Sequence, residues 1–122
     1  MSKNKKNKKN PRNEFRKLNS MEVRGHPTYI YAKEGNSYNF IGITHAEITS
    51  GVKNIPLSKN PEPNNQQKAY LRPCAKKERT KLFGKRLSNW KFADSDKVVV
   101  KGIIDNGKQN KSKKSNKKRK DG

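Results

Sequence analysis

Apolar side chains are confined to one stretch of this 122-residue chain: residues 20 to 107 hold 31 of its 34 hydrophobic residues, and the two ends contribute only Met1, Phe15 and Leu18. A segment with so little to bury cannot offset the entropy lost on ordering. Residues 1–19 and 108–122 therefore read as disordered basic tails, and 20–107 as one small folded domain. A core of that length buries roughly 60 to 65% of the surface its unfolded chain exposes. Large cofactor cradles and multi-domain enzymes are thereby excluded.

Charge follows a different distribution. The net charge is +21, and each tail carries eight basic groups against one acid, leaving +7 for the middle. Such a balance attracts phosphate, so nucleic acid is the expected partner. No apolar run approaches the ~18 residues of a membrane span. The basic N-terminus is not followed by the apolar stretch of a secretory signal, so the expected location is cytoplasmic, with no membrane partner. Cys74 is the single cysteine, which rules out an intrachain disulfide.

Within the middle segment the strongest local signal is a β-hairpin. Residues 28 to 33 (Thr-Tyr-Ile-Tyr-Ala-Lys) and 38 to 44 (Tyr-Asn-Phe-Ile-Gly-Ile-Thr) are rich in β-branched and aromatic residues, and residues 34 to 37 (Glu-Gly-Asn-Ser) have turn chemistry. Alternation puts Ile30 and Ala32 on one face and Tyr29 and Tyr31 on the other. Both faces are apolar, which favours a small barrel over a hairpin with one wet side. Residues 58 to 67 combine prolines with amides and read as a loop. Residues 69 to 72 read as a strand stopped by Pro73. Residues 94 to 104 read two ways. Val98-Val99-Val100 favours a strand, whereas the spacing of Val99, Val100, Ile103 and Ile104, with Asp94 or Ser95 as cap and Asp96 in the first turn, favours a helix, the reading adopted. The expected fold class is mainly β, a small barrel with a C-terminal helix.

The order of His26-Pro27-Thr28-Tyr29-Ile30-Tyr31, a Gly-Asn turn, and Phe40-Ile41-Gly42-Ile43-Thr44-His45 resembles the PemK/MazF-like family of toxin endoribonucleases over residues 24 to 72. The resemblance implies a small SH3-like β-barrel, commonly a homodimer, that cleaves single-stranded RNA without metal and is neutralised by an antitoxin. Thr44 matches the family's active-site hydroxyl. The family's arginine beside proline falls at His26, with Arg24 two residues earlier. An arginine is a permanent forked cation and a histidine titrates near neutrality, so this position departs from the family in kind.

Metal-free RNA cleavage needs a base for the 2′-hydroxyl, an acid for the leaving 5′-oxygen and donors for the charge on phosphorus. His26 and His45, the only histidines, stand at the entry and exit of the hairpin and are the acid–base candidates. Arg24 and Arg72 are candidate phosphate clamps and Thr44 a donor to a phosphate oxygen. Lys85, Arg86 and Trp90 form a basic cluster with a stacking surface. Each has a structural alternative: His26 as a strand-entry residue, Thr44 as a strand terminator, Trp90 as a lid on the core. One cysteine and two histidines cannot close a structural zinc site, and no glycine-rich phosphate loop is present, so neither metal nor cofactor is expected. Two other functions fit the same charge: a noncatalytic nucleic-acid-binding module, and a small interaction or inhibitor protein of a phage or mobile element.

Overall fold

The structure is a computed structural model and describes residues 9–19 and 24–106. The expected tail at 108–122 and the first eight residues lie outside the described residues. Eight strands follow in chain order: β1 (Lys9–Asn19), β2 (Arg24–Glu34), β3 (Ser37–Thr44), β4 (Ile48–Thr49), β5 (Val52–Lys53), β6 (Ile55–Pro56), β7 (Tyr70–Arg79) and β8 (Phe83–Arg86). A 3-10 turn at Thr80–Leu82 joins β7 to β8, and a helix, α1, spans 94–106. The main sheet is antiparallel in the order β6-β7-β3-β2-β1-β8, and β4 and β5 form a separate two-stranded hairpin.

The expected disorder of residues 1–19 does not hold for Lys9–Asn19. This segment is an interior strand, paired with β2 along most of its length and with β8 on its other side. Its two apolar residues suffice because they are three apart and point to opposite faces. Phe15 enters one hydrophobic cluster and Leu18 the other. The charges between them are accommodated in place. Buried Glu14 pairs with Arg16 at 3.0 Å and Arg12 at 3.6 Å. Arg16 also donates from Nη1 to the Gly84 carbonyl at 2.8 Å, and its guanidinium lies 5.6 Å from the Tyr38 ring centre. A cation over an aromatic face keeps an attraction that a purely apolar contact would not supply.

The expected hairpin is present as β2 and β3, with Thr28 opposite Gly42 and Ile30 opposite Phe40. Both faces of the sheet are buried, as the two-sided alternation requires. Ile41 and Ile43 join Phe15, Leu71, Phe92, Val100 and Ile103 on one side. Tyr38 and Phe40 join Leu18 and Ile30 on the other, covered by Leu82 and Phe83. Phe83 meets the rings of Tyr38 and Phe40 edge-on, with centroids 5.1 and 5.3 Å apart, the geometry that aromatic quadrupoles prefer.

Two further sequence expectations are corrected. The sheet is not closed into a barrel: its edge strands β6 and β8 do not pair with each other. One face is closed instead by residues 87 to 92 and α1, and the other by the 3-10 turn with β8, so burial is achieved without a continuous ring of hydrogen bonds. Pro73 does not stop its strand, since β7 runs through it to Arg79. Between the pairs Ile41–Ala75 and Ile43–Leu71, the three residues Arg72, Pro73 and Cys74 face Gly42 alone. Proline lacks the N–H for a regular ladder, and a bulge removes the need for it.

The helix expected near residue 94 is observed. Its first turn is started by the Ala93 carbonyl, which accepts from the N–H groups of Asp96 and Lys97. Asp96, only 3% exposed, accepts from the Ser58 and Lys59 N–H groups and the Ser58 hydroxyl. The carboxylate thus ties the loop after β6 to α1 through charge-assisted hydrogen bonds.

Phe15→Ala is expected to cost about 3–5 kcal/mol, as for other large core truncations, whereas exposed Lys17→Ala stays within about 0.5 kcal/mol. Urea unfolding followed by tryptophan fluorescence measures both.

Candidate functional site

Two residues beyond the Thr28–Gly42 pair, on β2 and β3 respectively, lie His26 and Thr44. Both line a cleft of about 220 Å³ on one side of the sheet. Arg72 reaches the same cleft from the β7 bulge, so three strands bring together residues up to 46 positions apart. Leu18, Pro27, Phe40 and Ile43 supply apolar walls, and Cys74, Lys76, Lys77 and Glu78 continue the lining along β7. A part-apolar cleft edged with cations is chemically matched to a flat base carrying a phosphate.

Gly42 allows Arg72 to lie where it does. A Cβ at this position would sit 3.0 Å from Arg72 Cγ, tighter than ordinary van der Waals contact. The guanidinium is then held by a hydrogen bond from Nη1 to Asn54 Oδ1 at 2.6 Å. The Thr44 hydroxyl oxygen accepts from the Ala46 N–H at 3.2 Å, which leaves its own hydrogen to donate into the cleft.

The other sequence candidates are not gathered here. His45 is exposed in the turn after β3 and does not line the cleft. β3 ends at Thr44 and the chain bends at His45, so the strand that places Thr44 does not place His45. Of the two histidines expected to share a groove, His26 lines the cleft and His45 does not. Arg24 begins β2 opposite Asn19, and its side chain lies outside what the structure describes. Arg86 and Trp90 border a second, polar cleft with Asn13, Glu14, Ser88 and Asn89, while Lys85 lines neither cleft. The Trp90 ring packs 5.7 Å from Phe15, as a cover on the core.

The tyrosines also belong mainly to the core. Tyr29 contacts Phe15 and Phe92 at centroid distances of 5.2 and 4.9 Å, and its hydroxyl donates to Asn13 Oδ1. Burial raises the phenol pKa of Tyr29, and burial followed by the nearby Glu34 charge raises that of Tyr31. Both therefore stay neutral at ordinary pH. Residues that the sequence reading did not assign to the site are Gly42, Asn54, Lys76 and Cys74. No local signal singled them out, since a proline after an apolar run fits a strand end as well as a bulge and only the partner strand distinguishes the two.

Among the described residues no three or more His, Cys, Asp or Glu side chains gather as a metal-binding group, and no helix is long and apolar enough to cross a membrane. No family model, curated protein or solved structure matches the chain.

In Gly42→Ala the Arg72 side chain must give way to admit the new methyl, which would sit 3.0 Å from its Cγ. The expected result is a loss of about 1–3 kcal/mol of stability, the scale of overpacking a filled site. Urea unfolding followed by tryptophan fluorescence reads this loss.

Proposed function

We propose that the protein is a toxin-type endoribonuclease that cuts single-stranded RNA without a metal ion, in the cleft between β2, β3 and β7. The observation that carries this reading is the meeting of His26, Thr44 and Arg72 from three strands on one cleft. The connectivity supports the fold that goes with it: β1, β2, β3 and β7 are antiparallel neighbours, and β8 returns across a 3-10 turn to pair with β1. This strand order, open at its edges, is what supports the SH3-like part of the reading.

In this mechanism a nucleotide lays its base against Pro27 and its phosphate against Arg72. The forked guanidinium and the Thr44 hydroxyl donate to the non-bridging oxygens, and these bonds strengthen as charge develops on phosphorus. His26 accepts the proton of the 2′-hydroxyl as its oxygen attacks phosphorus. The bond to the 5′-oxygen breaks, that oxygen takes a proton from water, and a 2′,3′-cyclic phosphate remains. With one imidazole in the cleft, solvent serves the second proton transfer, so the enzyme is a slow one. Lys76, farther along β7, meets a neighbouring phosphate. An acidic antitoxin covering this basic cleft is the neutralising partner the reading implies, and a homodimer is the assembly it implies.

A second reading is favoured by the position of His45 outside the cleft: the same groove binds RNA without cutting it, because the acid–base pair is incomplete. The two are separated by incubating the purified full chain with a 5′-labelled single-stranded RNA in EDTA. Cleavage to 2′,3′-cyclic ends is expected. His26→Ala should lower the rate by about 10²–10⁴-fold and keep binding, and His45→Ala should change it by less than about threefold. RNA that is bound and stays intact establishes the binding module instead. Arg72→Ala should make the slope of log affinity against log salt shallower by about 0.7, the contribution of one single-strand phosphate contact. An unchanged slope removes Arg72 from the phosphate site.

A further inference from the structure

Asn54 is the one residue between β5 and β6, and it is 5% exposed. Its side-chain amide is engaged at both ends. Nδ2 donates to the Ala46 carbonyl at 2.9 Å and to the Thr49 hydroxyl at 2.8 Å. Oδ1 accepts from Arg72 Nη1 at 2.6 Å. The Asn54 backbone N–H donates in addition to the Glu47 carbonyl at 2.9 Å. One side chain therefore closes the base of the β4–β5 hairpin, whose Thr49 lines the cleft, and holds the cation that projects from the β7 bulge.

We propose that Asn54 is a positioning residue that locks the Arg72 guanidinium to the β4–β5 hairpin, so that a phosphate in the cleft meets a cation already fixed in place. The proposal rests on the reading that this cleft receives RNA phosphate. Its physical basis is twofold. A free arginine side chain loses considerable rotamer entropy when it binds an anion, and a side chain already held loses less. The partner is also a neutral amide. A carboxylate in the same place would orient the guanidinium but neutralise it and repel the incoming phosphate. An amide oxygen orients it at the cost of one of its five N–H donors and leaves the charge intact. Ile55, the next residue, pairs with Leu71, the residue before Arg72, so the backbones that carry the two partners are themselves in register.

A double-mutant cycle on the full chain tests the coupling, with RNA affinity measured on a short single-stranded oligonucleotide. Asn54→Ala is expected to weaken binding by about tenfold, the scale of a hydrogen bond to a charged group. In an Arg72→Ala background the same change should have almost no further effect, because the positioned group is gone. A loss of equal size in both backgrounds overturns the proposal and leaves Asn54 a purely structural residue. Nitrogen-15 NMR of the RNA-free protein provides a second readout. Rotation about the Arg72 Cζ–Nη1 bond should be hindered in the wild type and fast in Asn54→Ala. Arg16, whose Nη1 donates to the Gly84 carbonyl, should stay hindered in both and serves as the control that the variant is folded. Persistence of hindered rotation at Arg72 in the variant overturns the positioning role. If the wild type binds no RNA, the proposed function fails, and the NMR comparison still decides whether Asn54 fixes Arg72.

Discussion

The insertion of β1 between β2 and β8 is the interaction on which the rest of the fold depends. Without it β2 becomes an edge strand, β8 has no partner in the sheet, and the aromatic group of Tyr29, Trp90 and Phe92 loses Phe15, the ring all three contact directly or through one another. The strand is held by very little apolar surface. Its two large hydrophobic residues point to opposite faces, so each anchors a different cluster and neither can be replaced by the other. Main-chain pairing on both sides supplies the remaining order, and such pairing is available to any sequence whose side chains can leave the sheet for solvent or find partners on it.

The candidate cleft follows from a second local constraint, a proline within a strand. Pro73 cannot donate to a ladder, and the chain answers by placing three β7 residues against one of β3. The residue they face is Gly42, whose missing Cβ leaves room for the Arg72 stem. Two residues that would ordinarily weaken a sheet thus combine to turn an arginine across it, towards the same opening as His26 and Thr44. Substituting either of the two removes the space or the irregularity, so they operate as a unit.

Much of this was legible from the sequence where the information is local. The β2–β3 hairpin, its two-sided alternation and the helix near residue 94 rest on period and turn chemistry, and the structure contains each of them. Antiparallel pairing also explains why the hairpin's entry residue His26 and exit residue Thr44 border one cleft, whereas Arg72 reaches it from β7, outside the hairpin. The misreadings share a cause. Lys9–Asn19 looked disordered because charge dominates its composition, yet its strand character is conferred by neighbours distant in the chain. Pro73 looked like a terminator because a bulge is visible only against the partner strand. His45 was expected beside His26 because hairpin entry and exit meet, yet β3 ends at Thr44 and His45 stands exposed in the bend that follows. Asn54 left no local trace, since its role exists only through Arg72, 18 positions later.

The way the acidic residues are distributed bears on why a basic cleft can persist in so small a protein. Buried Glu14 is held by Arg12 and Arg16 at the centre of β1, and buried Asp96 is spent on the backbone of Ser58 and Lys59 at the base of α1. Glu62 accepts from Asn65 within its own loop, and Glu34 approaches Lys77 on the surface. The two most buried carboxylates therefore work at structural joints, where an anion is matched by fixed donors and its desolvation is compensated. Arg72 is treated differently: its partner is an amide. A carboxylate there would add Coulombic attraction but cancel the local positive field. Orientation by a neutral group keeps a directed cation in the cleft, where solvent hydrates the charge that a buried position would leave uncompensated.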